Sequence, residues 1–208
     1  MFLDTLYWIT LIAVLVSSAS GVLQATGRHQ FDLFGVLMIA VATGLGGGSL
    51  RDVLLGREVF WVMDQSFFIA SVLSALILFG IASTRKISPR VFLIPDAAGL
   101  ATFTIAGTLV ADMQGAGMLI ASFMGVVTGI MGGVLRDVLC GVPPIVFNSP
   151  LYATVAWCGA LLLLALQGIG LSDELAAGLV GVIVFAGRLL ALRFQIGLPS
   201  LKSCPKDQ

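Results

Sequence analysis

Charge is what this sequence has least of. Charged residues make up 11% of the 208 residues and hydrophobic residues make up 58%, whereas a soluble domain carries about 25% charged residues. So few charges cannot cover a surface that faces water, which excludes an ordinary soluble globular domain. The formal net charge is +0, which excludes a strongly basic nucleic-acid-binding protein. The composition therefore predicts an integral membrane protein surrounded by the lipid bilayer.

Histidine and cysteine are also scarce, with 1 His and 3 Cys in the chain. His29 lies in a polar loop, and Cys140, Cys158 and Cys204 show no metal-binding or redox spacing. No Ser or Cys at membrane depth has a plausible general base nearby. We therefore expect no structural metal site, no cofactor, no disulfide framework and no enzymatic activity.

Long polar segments are missing as well, so that apolar windows fill most of the chain. A transmembrane helix needs about 20 mostly apolar residues, and seven such windows can be drawn: 5–26, 33–55, 60–82, 91–111, 116–139, 150–167 and 174–194. The connections are too short to hold a soluble domain. We predict an all-α fold with one membrane domain, residues 1–194, followed by a cytoplasmic tail, residues 195–208.

Positive charge falls mainly on one side of these windows. One side collects Arg28, Arg85, Lys86, Arg90, Arg193, Lys202 and Lys206. The other side collects Asp4, Arg57, Glu58, Asp64, Asp112, Asp173 and Glu174. Because short cytoplasmic loops are enriched in Lys and Arg, we expect the N-terminus outside and the C-terminus in the cytoplasm, in the cell's inner (plasma) membrane. No Lys or Arg precedes the first apolar run, which favours a retained first span over a signal peptide.

The sequence contains an internal repeat. The stretch "TGLGGGSLRDVLLG", residues 43–56, matches "TGIMGGVLRDVLCG", residues 128–141, at ten of fourteen positions. Each copy covers three spans, about 5–82 and 91–167, and 174–194 is left over as a seventh. Because three is odd, the second copy enters the membrane from the opposite side. Inverted repeats of this kind place a substrate path at the repeat interface, in interrupted helices; the alternative is a duplication without a pathway.

A glycine cluster lies in the middle of spans 2 and 5. The seven glycines are Gly44, Gly46, Gly47, Gly48, Gly129, Gly132 and Gly133. Glycine weakens a helix and tolerates unusual torsions, so we expect both helices to kink or open there and to free carbonyl groups for a cation. Close helix packing through small residues is the competing interpretation. A nucleotide-binding loop is excluded, because neither copy has a GK[ST] or a complete G-x-G-x-x-G.

An Arg-Asp pair follows each glycine cluster: Arg51 and Asp52 in the first copy, Arg136 and Asp137 in the second. Successive side chains point about 100° apart on a helix, so we do not expect each pair to be a self-contained ion pair. Charged groups at membrane depth need partners or water. We expect each Arg to reach a carboxylate or carbonyl on another span and each Asp to attract cations. The alternative is that both pairs mark the interfacial ends of their spans.

Three further polar side chains are candidates for the pathway. Thr43 and Thr128 occupy equivalent positions just before the two glycine clusters. Asp96 lies in the first turns of span 4, and its counterpart in the first copy is Thr10, so this acid is not duplicated. Asp96 is either a functional group or a carboxylate that favours a helix N-terminus.

The chain resembles the prokaryotic members of the TRIC (trimeric intracellular cation) channel family. The resemblance rests on "GGGSLRDVLLG", "GGVLRDVLCGVPP", "PDAAGLATFTIAG" and the division of the spans into three, three and one. It implies a homotrimer with an hourglass pore in each subunit between the repeats, bent spans 2 and 5, and preferential permeation of potassium. The pore residues that it implies are Gly46, Gly47, Gly48, Arg51, Gly132, Gly133 and Arg136.

The chain departs from the family pattern at two positions. Met131 replaces the first glycine of the second cluster, which predicts a shallower kink there, and Thr10 stands where strict symmetry requires an Asp. Relatives with the same duplicated domain have also been described as glycine transporters. A carrier for glycine or another small amino acid is therefore the alternative to a cation channel.

Overall fold

The computed structural model is helical throughout, with no strand among the residues it describes, which are 2–26, 31–84, 88, 90–149 and 151–197. Nine helices lie in these ranges: α1 Phe2–Ala25, α2 Leu33–Leu54, α3 Phe60–Met63, α4 Gln65–Thr84, α5 Leu93–Met113, α6 Met118–Leu139, α7 Ile145–Asn148, α8 Tyr152–Gly168 and α9 Asp173–Phe194. Six of them, α1, α2, α4, α5, α6 and α9, are long and apolar enough to cross a membrane, and α8 is a shorter apolar helix. The all-helical membrane fold expected from the sequence is confirmed.

A short separate helix precedes the third long helix of each copy. The window 60–82 is divided at Asp64, whose Oδ1 accepts a hydrogen bond from the Ser66 N–H at 2.9 Å, so that α3 and α4 are distinct. In the second copy α7 precedes α8 in the same way. The turns before α3 and α7 contain Gly56 (φ 64°) and Gly141 (φ 68°), a left-handed conformation that glycine adopts without steric cost. The two copies of the internal repeat thus share the same order of turn, short helix and long helix.

Helix α5 lies at the centre of the bundle. In its apolar window 72% of the residues are buried inside the protein, against 22% in α4, whose outer side chains include Ile77 at 63% exposure. Small residues let α5 approach its neighbours: Gly99 lies against the Ser17 side chain of α1, and Gly107 against the Thr128 side chain of α6. Apolar side chains on the outside need no polar cover, because lipid tails surround them.

Several residues used for the sidedness prediction lie outside the described part of the chain. They are Arg28, Arg85, Lys86, Lys202 and Lys206, and the same holds for His29, Cys204 and residues 198–208 of the tail. The expected orientation of the two termini therefore stays a prediction.

Candidate functional site at the interface of the two repeats

Helices α2 and α6 cross each other at their glycines. A Cβ atom added to Gly47 would collide with the backbone carbonyl oxygen of Thr128, and one added to Gly132 would collide with the carbonyl oxygen of Thr43. The two contacts are reciprocal, because Gly132 is the equivalent of Gly47 and Thr43 is the equivalent of Thr128 at the 85-residue offset. They place the symmetry-related segments of the two repeats in direct backbone contact.

The glycines do not interrupt their helices. Residues 33–54 and 118–139 are α-helical without a break, so the expectation that the clusters open the helices and free their carbonyl groups is wrong. The physical reason is that the missing Cβ atoms serve the close crossing of α2 and α6, which is the packing role of small residues in membrane helices. A bend of the helix axes at these positions stays a prediction.

The other glycines of the clusters also lie against neighbouring helices. Gly44 lies against the Ser18 side chain, and its equivalent Gly129 against the Thr104 side chain. Gly46 faces Leu135 and Gly48 faces Phe60, both through side chains. Gly133 is the least crowded of them, because a Cβ there would make ordinary contacts with Tyr152, Arg136 and Asp96 at 3.4–3.6 Å.

Thr43 and Thr128 are equivalent in structure as well as in sequence. The Thr43 hydroxyl donates to the Ile39 carbonyl at 2.5 Å, and the Thr128 hydroxyl donates to the Met124 carbonyl at 2.6 Å. Both side chains are buried, with 2% and 0% exposure. Each hydroxyl is thus bonded within its own helix, while the threonine backbone carbonyl faces the opposite glycine.

Arg136 is the centre of a buried polar cluster. Its Nε donates to Asp137 at 2.9 Å, and its Nη1 donates to Asp96 on α5 and to Ser20 on α1, both at 2.6 Å. The Tyr152 hydroxyl donates to the same Asp96 oxygen at 3.2 Å. The expectation that an arginine of the motif reaches a carboxylate on another span is met at Arg136.

Asp96 is bonded to Arg136 and does not cap its own helix. It lies in the first turn of α5, but Phe92 is the N-cap residue and no side chain caps this helix. Asp96 is 5% exposed, and its second oxygen, Oδ2, has no hydrogen-bond partner among the described residues. The Phe92 ring lies 5.0 Å from the Arg136 guanidinium carbon, which adds a cation–π contact to the cluster.

Arg51 has a simpler environment than its equivalent. Its Nε and Nη2 lie 2.9 Å and 2.8 Å from Asp52 Oδ1, and the Phe60 ring centroid lies 5.6 Å from its guanidinium carbon. Nη1 has no hydrogen-bond partner among the described residues, although the side chain is only 2% exposed. No second carboxylate contacts this arginine in the described part of the chain.

The expectation that the adjacent Arg and Asp do not form a self-contained ion pair is wrong in the first copy, where Arg51 pairs with Asp52, but it holds in the second, where Arg136 also bonds Asp96. In both copies the Nε of the arginine donates to the Oδ1 of the following aspartate at 2.9 Å. The long arginine side chain curves back across the 100° that separates the two Cα–Cβ directions, so adjacency on a helix does not prevent the contact.

The two Asp residues have a structural role in addition. The second oxygen of Asp52 accepts from the Phe60 N–H at 2.9 Å, and that of Asp137 accepts from the Ile145 N–H at 2.8 Å. Each carboxylate thus joins the end of one helix to the start of the short helix that follows. Both of its oxygens are bonded within the protein, which argues against the expectation that these groups mainly attract cations.

A small polar pocket lies between the repeats. Its volume is about 10 Å³, close to the minimum that holds one water molecule. Thr43, Gly132 and Gly133 form part of its wall, together with the polar side chains of Ser17, Ser20, Asp96, Arg136 and Tyr152. The glycine crossing and the Arg136 cluster therefore share one site, whereas Arg51 lines a different cleft. Within the described ranges, no three His, Cys, Asp or Glu side chains group so as to hold a metal.

Three residues of the site were not singled out from the sequence. Tyr152 and Ser20 contact the Asp96–Arg136 pair. Arg188 of α9 is fully buried, lies 4.4 Å above the Tyr152 ring and donates to Ser149 at 2.7 Å. A comparison of the two copies could have pointed to Tyr152, because Phe67 is its equivalent at the 85-residue offset and lacks the hydroxyl group.

Comparison with known proteins identifies the chain. The fold and the site define a helical membrane protein built on a duplicated unit of three spans. A family model described as Glycine transporter matches residues 7–83 and 93–168, and so matches the chain twice. The chain belongs to this family, which is the TRIC family of membrane proteins.

Bacterial relatives cover nearly the whole chain. It is 36% identical over 197 residues to the UPF0126 inner membrane protein YadS of Escherichia coli (strain K12), covering 93% of this chain and 95% of the relative. It is 35% identical over 204 residues to a UPF0126 membrane protein of Vibrio cholerae, covering 95% and 84%.

Solved structures share the fold at high similarity. The TRIC trimeric intracellular cation channel orthologue from Rhodobacter sphaeroides is 34% identical, with a TM-score of 0.86, over 92% of this chain and 98% of that one. A prokaryotic TRIC channel crystallised in 0.5 M KCl is 26% identical, with a TM-score of 0.86, over 95% and 100%.

Proposed function

We propose that this protein is a passive, potassium-preferring cation channel that assembles as a homotrimer with a pore in each subunit. Its similarity over nearly the full chain to a trimeric intracellular cation channel orthologue supports this function. The proposed pore runs between the two repeats, past the crossing of α2 and α6. It passes the polar pocket that Thr43, Asp96 and Arg136 help to line.

The charge beside the pocket is the observation that best supports cation selectivity. Arg136 contacts two carboxylates, Asp96 and Asp137, and Arg188 over the Tyr152 ring is the second positive charge of the site. The charges therefore balance, and the carboxylate that lines the pocket is Asp96. The unpartnered Oδ2 of Asp96 is an oxygen ligand of the kind that hard cations prefer. The described part of the first copy offers nothing similar, because Arg51 is paired there with Asp52 alone.

Conduction in this scheme requires the pocket to widen. A volume of about 10 Å³ has room for one water molecule, so a hydrated ion cannot pass the crossing in this conformation. A change in the bend of α2 and α6 at the glycines Gly46, Gly47, Gly48, Gly132 and Gly133 would separate the two repeats. Thr43, Thr128 and the backbone carbonyls around them would then line the path.

We assign the protein to the inner membrane, with its N-terminus outside and its C-terminus in the cytoplasm. The similarity to an inner membrane protein of Escherichia coli supports the membrane. The excess of Lys and Arg on one side of the spans supports the orientation.

A carrier for glycine or another small amino acid is the second candidate. The observation that favours it is the description of the family model as a glycine transporter. A carrier needs a site near the middle of the membrane that is never open to both sides at once, and the closed pocket between the repeats is compatible with that requirement too.

Purified protein in liposomes distinguishes the two functions. We expect stepwise single-channel currents under a potassium gradient, and no saturable uptake of labelled glycine measured in parallel. In the channel, Asp96→Asn should reduce the preference for potassium over chloride, whereas Asp112→Asn, an exposed carboxylate at the other end of α5, should leave it unchanged. Saturable glycine uptake without unitary currents would reject the channel in favour of the carrier.

A further inference from the structure

The Arg51 cleft and the Arg136 pocket are equivalent by the internal repeat but differ in charge. In the second copy the Nη1 atom of Arg136 is bonded to the Asp96 carboxylate. In the first copy Thr10 stands at the position of Asp96, and its hydroxyl donates back to the Leu6 carbonyl at 2.8 Å. The Nη1 atom of Arg51 therefore lacks the carboxylate that its equivalent has.

A second substitution between the copies adds positive charge. Arg57 occupies the position that Val142 has in the second copy, and both Arg51 and Arg57 line one cleft of about 170 Å³. These two arginines are the charged groups in the lining of that cleft, among the residues that the structure describes. The lining of the cleft thus has an excess of positive charge, and it has Thr10 where the other repeat has the Asp96 carboxylate.

The hydroxyl partner of the carboxylate is replaced as well. Tyr152, which donates to Asp96, is aligned with Phe67, and Phe67 lines the first-copy cleft together with Tyr7 and Phe60. Among the residues that the structure describes, no carboxylate lines this cleft. The cleft is also larger, with a volume of about 170 Å³, whereas the pocket around Arg136 has about 10 Å³.

We propose that the Arg51–Arg57 cleft binds a small carboxylate ligand, which takes the place that Asp96 holds beside Arg136 in the other repeat. The free Nη1 of Arg51 and the guanidinium group of Arg57 can each donate a charge-assisted hydrogen bond to a carboxylate, and such bonds are stronger than neutral ones. Arg51 is 2% exposed, and a hydrogen bond to a buried guanidinium group is stronger than one in bulk water. The site goes beyond the proposed channel function and does not depend on it.

Thermal unfolding of the full-length purified protein in nanodiscs tests this site, with sodium acetate as the probe and sodium chloride at equal ionic strength as the reference. We expect acetate to raise the unfolding temperature saturably, because a ligand that binds only the folded state stabilises it. Arg57→Gln should raise the acetate Kd about tenfold, as expected for the loss of a hydrogen bond to a charged group. The matched control is Arg90→Gln, an exposed arginine outside the cleft, which should leave the Kd unchanged.

The sharper test supplies the carboxylate within the chain. Thr10→Asp should raise the unfolding temperature without acetate and abolish the response to acetate, whereas Thr10→Asn should keep the response. An acetate effect no larger than that of chloride would overturn the proposal, and so would a full acetate response in Thr10→Asp. If Thr10→Asp does not fold, the comparison of Arg57→Gln with Arg90→Gln decides, and equal acetate Kd values in those two variants would reject the site. Because binding is measured without ion flux, failure of this site and failure of the channel function are separate results.

Discussion

Arg136 of α6 and Asp96 of α5 form a buried ion pair, with Nη1 2.6 Å from Oδ1 and side-chain exposures of 1% and 3%. Their counterparts in the first repeat, Arg51 and Thr10, form none. The chain is therefore symmetric in its backbone but asymmetric in the charge at its two equivalent sites. This difference underlies both the proposed cation preference and the proposed carboxylate cleft.

Removal of the Asp96 charge should destabilise the fold strongly. Asp96→Asn leaves Arg136 buried with one carboxylate instead of two, and loss of one partner of a buried pair costs about 3–5 kcal/mol. Thermal or denaturant unfolding in detergent measures the effect. Asp112→Asn on the same helix is the control, because Asp112 is exposed and its change should stay within about 0.5 kcal/mol. Equal effects of the two substitutions would contradict the importance of the pair.

The glycine crossing should not tolerate a methyl group. Gly47→Ala and Gly132→Ala each direct a Cβ into a backbone carbonyl of the other helix, and overpacking of this kind costs about 1–3 kcal/mol. Gly80→Ala in α4 has no heavy atom within 4 Å of the new Cβ, so it should be neutral or stabilise the helix by up to about 1 kcal/mol. Unfolding measurements on the three variants test the packing interpretation, which fails if Gly80→Ala proves as costly as the other two.

The Tyr152 hydroxyl should stabilise the protein through its hydrogen bond to Asp96. Tyr152→Phe removes a hydrogen bond to a charged group, which is worth about 1.5–3 kcal/mol. In an Asp96→Asn background the same substitution should cost much less, so a double-mutant cycle should show a coupling energy. Tyr7→Phe provides the comparison, since no hydrogen bond of the Tyr7 hydroxyl is found in the described structure. Additive effects of Tyr152→Phe and Asp96→Asn would show that the contact carries no energy.

Arg188 should be required for the packing of α9 on α8. It lies over the Tyr152 ring and donates to Ser149, so Arg188→Ala should cost about 2 kcal/mol or more through the desolvated cation–π contact and the hydrogen bond. Arg193→Ala, an exposed position on the same helix, should stay within about 0.5 kcal/mol. The measurement is again thermal unfolding in detergent, and similar losses in both variants would rule out a specific role for Arg188.

Much of the fold could be predicted from the sequence, because lipid imposes simple requirements. A span must be long, apolar and helical to satisfy its backbone in hydrocarbon, and the apolar windows therefore coincide with the helices. The short helices α3 and α7 were not predicted, because apolar composition alone reveals neither a break four residues into the window 60–82 nor a helical turn before the window 150–167. They follow from local contacts of Asp52 and Asp137 with backbone N–H groups eight residues away.

The candidate site was predicted in its residues but not in its contacts. The spacing of the repeat identified the glycines, Thr43, Thr128 and both Arg-Asp pairs. Two expectations failed, since the helices do not open at the glycines and Arg51 bonds its own neighbour Asp52. Both outcomes depend on the distance between helices and on side-chain rotamers, and neither can be read from the spacing of residues in the sequence.

The sequence by itself determined the class of protein, the duplication and the odd number of spans that inverts one copy, because composition and periodicity act along the chain. The tertiary structure alone decided which groups meet: Gly47 with the Thr128 carbonyl, and Arg136 with Asp96, Ser20 and indirectly Tyr152. These contacts join residues 40 or more positions apart, and only the packing of α1, α2, α5, α6 and α8 around one another brings them together. The same packing places Thr10, and not a carboxylate, in the cleft that Arg51 lines.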